Sequence, residues 1–281
     1  LAVNFARRAA NASVNFKLRG AAYGALHGGF IGCDGDDRWS YERVSAAAEV
    51  NWLATAIGGC AIKQIKFKGK TMKIAIIGAN GKSGSNLVQE ALKQGYDVTG
   101  FARNKEYKNG AIKLVHKDVF ELSKVDLAGF DVVISAIAAW TPQTFPLHAK
   151  MTQHIAELLS GTQTRLFVIG GAGVLYTDAS RKTRLMDTPS FPAEYMGVAE
   201  ATAASYEVLK ASKDLIWTYV IPAAEYDANA ARTGSCVLGG DELILNGKGK
   251  SYIGYADLAL AVIDEIGAQK FIGKPFTAVG E

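Results

Sequence analysis

Three glycines at a spacing of three, Gly78, Gly81 and Gly84, punctuate the segment KIAIIGANGKSG from Lys73 to Gly84. Before them runs Ile74-Ala75-Ile76-Ile77, short and apolar enough for a strand buried on both faces. After them Leu87, Val88, Ala91 and Leu92 recur at helical spacing. A strand that turns through glycines into a helix presents unpaired amide N–H groups and the positive end of the helix dipole, and together these hold an anion. Gly78 would allow the tight turn, Gly81 the close approach of a pyrophosphate, and Gly84 the packing of helix on strand. The chemistry expected is the holding of a dinucleotide. Gly81-Lys82-Ser83 also looks like the end of a triphosphate-binding loop, but that motif needs a glycine where Ile76 stands inside the strand. An NTPase motif is excluded.

A second strand, Asp97–Ala102, ends in Ala102-Arg103-Asn104-Lys105. An NAD enzyme places a carboxylate there for the ribose 2′-hydroxyl. None is present, and Arg103 stands where a 2′-phosphate would sit, with a fork that binds two oxygens at once. NADP(H) is therefore the preferred cofactor and NAD(H) the secondary one. A third strand, 112–116, leads to Asp118 and Val119, suited to an adenine amino group and ring face. Asp118 could equally cap a helix beginning at Glu121. A fourth, 131–137, ends in Ser135, Ala136 and Ile137, where small side chains admit the ribose and nicotinamide half.

Further strands at 165–169, 217–221 and 276–279 alternate with helices at 148–160, 195–211 and from 254 onward. This alternation predicts an α/β fold with a doubly wound parallel sheet. It forms a single domain over 72–281 with a small C-terminal, substrate-side region. The polar stretches 174–194 and 223–246 read as lid loops.

At 281 residues, with 49% hydrophobic and 21% charged residues, the composition is that of an ordinary globular protein. Cys33, Cys60 and Cys236 are odd in number and lack metal or disulfide spacing, which points to a reducing, cytoplasmic setting. His148 and His154 have no further ligand-type residue at metal spacing, so no metal site is expected. The net charge of +4 is unevenly placed. Residues 1–71 carry ten Lys or Arg against five Asp or Glu, and residues 72–281 carry 21 against 22. The body gives no reason to invoke nucleic acid, and no apolar run is long enough for a membrane span. Monomer and dimer are equally compatible with the sequence.

Residues 1–71 read as a leader outside the folded domain, with one helix expected over 41–56. A transit-like peptide and a basic partner-binding arm compete with a third reading, preferred here, that Met72 is the natural start. Met72 directly precedes the first core strand, and Lys68-Gly69-Lys70 is encodable by a purine-rich stretch like a ribosome-binding site.

From Met72 onward GANGKSG, FARN, KDV, VISAIA, VIGGAGVLY, DTPSFPAEY, WTYVIPAAEY, RTGSCVLGGDEL and SYIGYADLALAVIDE follow in order. Together they resemble the NmrA-like branch of the atypical short-chain dehydrogenase/reductases. Within it the resemblance is to the bacterial NADH-flavin reductases related to biliverdin-IXβ/flavin reductases. It implies a Rossmann fold in which Gly78, Asn80, Gly81, Lys82, Ser83 and Gly84 line the pyrophosphate and Arg103 meets the 2′-phosphate. It also implies that Asp118 and Val119 hold adenine, that Ser135, Ala136 and Ile137 border the nicotinamide side, and that Gly170, Gly171 and Ala172 form its floor.

One departure bears on mechanism. Ordinary members pair a tyrosine with a lysine four residues on, which lowers the tyrosine pKa for proton exchange. Here Ala199 follows Tyr195 at that spacing, and Tyr206–Lys210 lies about three turns down the helix, as a surface pair. Tyr195 is thus only a nominal catalytic candidate. Tyr195, Tyr176, Trp140 and His148 are candidates to stack on an acceptor ring or close over it. The function expected is NAD(P)H-dependent hydride transfer to a flavin or similar small acceptor without the Tyr–Lys pair. The alternative is a non-catalytic NAD(P)-binding redox sensor.

Overall fold

The computed structural model describes residues 71–104 and 112–280 in full and, before them, only the backbone of six short strands. The chain divides into two units, Leu1–Thr71 and Met72–Glu281. In the first unit Gly32–Asp34 pairs with Arg38–Ser40, Glu49–Trp52 with Ile65–Lys68, and Ala56–Ile57 with Cys60–Ala61, all antiparallel. A strand therefore stands at Glu49–Trp52 where a helix was expected. The readings of a natural start at Met72, a transit segment or a basic arm fall on residues that otherwise lie outside those described.

In the second unit the strands are β1 (Lys73–Ile77), β2 (Asp97–Ala102), β3 (Lys113–His116), β4 (Val132–Ser135), β5 (Arg165–Ile169), β6 (Ile216–Ile221), β7 (Glu225–Asp227), β8 (Cys236–Gly239), β9 (Tyr252–Gly254) and β10 (Lys274–Gly280). The helices are α1 (Lys82–Lys93), α2 (Lys124–Leu127), α3 (Leu147–Leu159), α4 (Ala193–Ala211) and α5 (Tyr255–Ala268). One sheet runs in the order β8-β10-β6-β5-β4-β1-β2-β3. All its pairings are parallel except β8 with β10. Strand order reverses between β1 and β4, and in a doubly wound sheet the crevice beyond those strand ends is where a ligand sits.

Burial follows from the two-residue period of a strand. Ile74, Ile76, Val132, Ile134 and Phe167 pack with Leu87, Val88 and Ala91 of α1 and Leu258, Val262 and Ile263 of α5. Ala75, Ile77, Val133, Leu166 and Val168 face Ile155 and Leu159 of α3 and Leu209 of α4. Both faces are covered, which is why these strands read as continuous apolar runs rather than alternating ones. Each fully buried Ile or Leu contributes about 1.5–3 kcal/mol.

At the opposite end of the sheet Arg165 is buried. Its Nη2 donates to Glu265 Oε1 at 2.6 Å and to Thr218 Oγ1 at 2.6 Å, and its Nη1 to the Glu265 carbonyl at 3.1 Å. Burial pulls the guanidinium pKa down while the Glu265 carboxylate opposes that. The same carboxylate accepts the Phe271 and Lys270 amides, fixing the turn after α5.

The expected lid stretches hold ordered elements. Met186 is buried in a short 3₁₀ turn at Leu185–Asp187, and 223–246 contains β7 and β8. The two stretches are joined: the Tyr176 amide donates to the Asp241 carbonyl (2.8 Å), the Leu243 amide to the Tyr176 carbonyl (2.8 Å), and Arg181 pairs with Asp241 (2.8 Å). Among the described residues, no helix is long and apolar enough to cross a membrane.

Candidate functional site

The turn after β1 is built from backbone. Gly78 has φ +85°, and a Cβ there would lie 2.8 Å from the Ala136 carbonyl at the end of β4. A Cβ on Gly84 would lie 2.1 Å from the Gly78 carbonyl. These two glycines let β1, β4 and α1 converge. Gly81 differs: it is exposed, and the nearest atom to its Cβ position is the Gly78 carbonyl at 3.2 Å. Helix α1 starts at this point with no side-chain cap and no acidic residue in its first turn. Uncapped amides, the positive helix end and an open Gly81 fit a pyrophosphate. These observations belong to the protein itself, and they agree with a dinucleotide at this position.

The turn opens into a cleft of about 650 Å³. Gly78, Asn80 and Gly81 line its middle, Arg103, Asn104, Asp118 and Val119 one end, and Ala136, Ile137 and Trp140 the other. Nine of the expected site residues thus meet around one cavity. At the first end the His116 ring is hydrogen-bonded through Nε2 to the Arg103 carbonyl (2.7 Å), which holds the backbone beneath an exposed guanidinium. Asp118 Oδ1 accepts the Phe120 amide (3.0 Å), and Glu121 Oε2 accepts the Asp118 amide in return (2.9 Å). The carboxylate caps the 3₁₀ turn Val119–Glu121 while it lines the cleft, so both roles weighed for it are compatible.

Lys117, which sequence reasoning passed over, also lines this end, with its Nζ held by Asp126 Oδ1 at 2.6 Å. Hydrogen bonds from Lys117 and Ser123 lower the Asp126 pKa to about 2. The only sequence signal for Lys117 was its place beside Asp118.

At the other end β4 stops at Ser135, so Ala136 and Ile137 leave the strand and turn into the cleft rather than extending it. Ser135 itself is buried and does not line the cavity. His148 is buried, and its Nε2 sits 3.1 Å from the Ala139 amide and 3.0 Å from the Ala139 carbonyl. It anchors the loop from α3 and is not a lid. Phe145 packs into the space left by Gly197 of α4, where a Cβ would come within 2.4 Å of the ring. Trp140 is 65% exposed at the rim, and Thr141, Thr144, Leu147 and Met151 complete the wall.

Other expected residues do not line the cleft, although Lys82 and Ser83 follow Gly81 directly in the first turn of α1. Lys82 is exposed, and Ser83 donates to or accepts from Tyr226 Oη at 3.1 Å. Gly170, Gly171 and Ala172 do not line the cleft. A Cβ on Gly170 would lie 2.1 Å from the Tyr219 ring and one on Gly171 2.7 Å from Thr202 Oγ1, so this run lets α4 and β6 pack. Tyr176 is held between Arg184 and Glu242 by β-bridges. Tyr195 is 52% exposed in the first turn of α4.

Tyr206 pairs with the exposed Lys210 as expected but is itself half-buried. Its ring stacks on Tyr219 at 4.5 Å, and burial raises its pKa to about 12. The Lys210 ammonium lies over that ring (4.9 Å) and pairs with Glu207, so this tyrosine is not activated for proton transfer. Among the described residues no cluster of three or more His, Cys, Asp or Glu could hold a metal ion.

The profile of a family described as NAD(P)H-binding matches residues 78–268. The uncharacterized protein YwnB of Bacillus subtilis is 42% identical over 212 residues, covering 75% of this chain and 99% of its own. A solved structure from Streptococcus pneumoniae, described as a "putative NADH-flavin reductase", is 44% identical with a TM-score of 0.73, over 75% of this chain and 100% of that one. A Burkholderia pseudomallei structure, described as a "putative exported protein", is 32% identical with a TM-score of 0.66, over 75% and 100%.

Proposed function

The chain belongs to the NAD(P)H-binding family, and from that premise we propose that it is an NAD(P)H-dependent reductase of a flavin or a similar flat, small acceptor. The observation that carries this reading is one continuous cleft that runs from Arg103 past the glycine turn to Trp140 and Met151. Gly78, Asn80, Gly81 and the first turn of α1 hold the pyrophosphate. Arg103 takes the 2′-phosphate of NADP(H), Asp118 and Val119 the adenine, and Ala136 and Ile137 the ribose and nicotinamide half. When bound, the reduced nicotinamide supplies a hydride.

The protein's part is placement. Ala139, locked by His148, and Phe145, seated on Gly197, fix the loop whose inner face bounds the acceptor space. Trp140 offers a ring at the open rim. Ala199 stands where a lysine would activate Tyr195, and the raised pKa of Tyr206 removes the other tyrosine. Neither tyrosine is then set to deliver a proton, which suits an acceptor whose reduced ring is protonated from solvent.

The same Ala199 favours a second reading, a sensor that holds NAD(P) without turnover. Steady NADPH consumption with FMN or riboflavin decides between them. The reductase reading expects turnover that changes less than about twofold in Tyr195→Phe, since a group with no reacting partner contributes little to the barrier. Binding without turnover on any acceptor gives the sensor.

A further inference from the structure

Ser83 is the second residue of α1, where a helix leaves amide donors without intrahelical acceptors. Its hydroxyl is met from 143 residues away by the phenol of Tyr226, at 3.1 Å in a half-buried contact. Tyr226 is the central residue of β7 and is fixed on both sides. Its ring stacks on Tyr255, the first residue of α5, with centroids 3.7 Å apart and planes 1° from parallel. The next residue, Asp227, accepts the Tyr252 hydroxyl at 2.9 Å. Two further contacts tie the same region to α1 and α5: Arg232 pairs with the buried Glu90 of α1 at 3.0 Å, and Asp257 of α5 accepts the Thr233 and Gly234 amides. The stretch read from sequence as a lid is therefore fastened to the helix whose N-terminus faces the cofactor.

We propose that Tyr226 is a positioning residue for the cofactor pyrophosphate, donating its phenol proton to Ser83 Oγ and so leaving the serine hydroxyl to donate to a phosphate oxygen. The inference rests on the NAD(P)H-binding reading above. A phenol that burial keeps protonated has a hydrogen to give at neutral pH, and the Tyr226 hydroxyl, held by its stacked ring, reaches Ser83 Oγ at 3.1 Å. Donation by Tyr226 occupies an acceptor site on Ser83 and turns its own hydrogen outward, and a chain of two hydroxyls polarises each member. A hydroxyl held this way meets an anion without the rotational freedom it would otherwise lose on binding.

The test is a double-mutant cycle on the full chain, read as Kd for NADPH, NADH and ADP-ribose, with thermal unfolding of each variant as the control for folding. Ser83→Ala and Tyr226→Phe are each expected to weaken all three ligands by roughly three- to tenfold, the range of one hydrogen bond to a charged or neutral acceptor. The NADPH-to-NADH ratio stays unchanged, and Ser83→Thr keeps wild-type affinity because it keeps the hydroxyl. Tyr226→Phe has no further effect once Ser83 is alanine, because the phenol acts through that oxygen. A Tyr226→Phe loss of equal size in the Ser83→Ala background, or no loss at all, overturns the proposal. If the wild type binds the dinucleotides and Arg103→Ala alters NADPH alone while Tyr226→Phe alters nothing, the proposal falls and the cofactor reading stands. Absence of dinucleotide binding by the wild type removes both.

Discussion

At the Arg103 end of the cleft the determinants sit on the ends of three neighbouring strands, β1, β2 and β3, and much of the work is done by backbone. Gly78, the Arg103 carbonyl and the Asp118 amide are each placed by a turn or a short-range hydrogen bond. At the Trp140 end the wall is a loop with no regular structure of its own, held by His148 from α3 and by Phe145 against Gly197 of α4. The first end is specified locally. The second is assembled from distant segments, so its shape can vary without disturbing the first.

The largest effects should separate glycines that serve the fold from the one that serves the ligand. Gly84→Val puts a branched side chain where even a Cβ meets the Gly78 carbonyl at 2.1 Å, backbone against backbone. It should destabilise the domain by at least about 3 kcal/mol and abolish dinucleotide binding, seen in the urea midpoint and in NADPH titration. Gly81→Ala meets a milder 3.2 Å contact with the Gly78 carbonyl. It should cost clearly less stability than Gly84→Val yet weaken NADPH and NADH alike by about tenfold, on the scale of one anion hydrogen bond. Equal loss of stability in the two variants would erase the distinction.

Next in size is the buried pair remote from either end. Arg165→Ala leaves Glu265 as an uncompensated buried carboxylate and should cost about 3–5 kcal/mol. The dinucleotide Kd should be unchanged wherever the variant is folded. A shift in Kd would show that the bottom of the sheet reports to the cleft, against the separation argued above.

A smaller effect belongs to Asp126, which holds Lys117 at the cleft. Its folded pKa, about 2, lies below the unfolded value of about 3.9. The stabilisation is therefore fully present above pH ~4 and is lost as pH falls towards ~2. Solvent screening keeps it modest at this partly exposed site. Asp126→Asn should flatten the acid limb of the stability–pH curve in that window and leave it unaltered near neutrality. A denaturant midpoint followed from pH 2 to 7 checks this.

The same contrast explains what could be read without coordinates. The glycine turn was legible because only glycine admits a left-handed turn at 78 and a helix one atom's width from a strand at 84. Arg103 was legible as a cation at the end of β2, and it lines the cleft. The parallel core strands announced themselves as unbroken apolar runs. What escaped depends on pairings far apart in sequence. Strands β7, β8 and β9 are short and lie at an edge or in a side pair, so they carry no long pattern. Tyr226 meets Ser83 across 143 residues, and nothing local in either segment signals the contact. The run Gly170–Ala172 was expected as a cofactor floor from the family resemblance, whereas the space left by Gly170 and Gly171 is filled by Tyr219 and Thr202. His148 looked like a lid because it is a histidine near a loop, and its ring is in fact spent on the Ala139 backbone.

In the proposed reading this cleft holds a nicotinamide dinucleotide with Arg103 at its 2′-phosphate. Equilibrium titration of NADPH and NADH into the wild type and Arg103→Ala tests it most directly. Tighter binding of NADPH by the wild type is expected, with a loss of about ten- to a hundredfold for NADPH alone in the variant, as for charge-assisted hydrogen bonds. NADPH and NADH bound equally by the wild type, or a preference for NADPH that survives in Arg103→Ala, would contradict it.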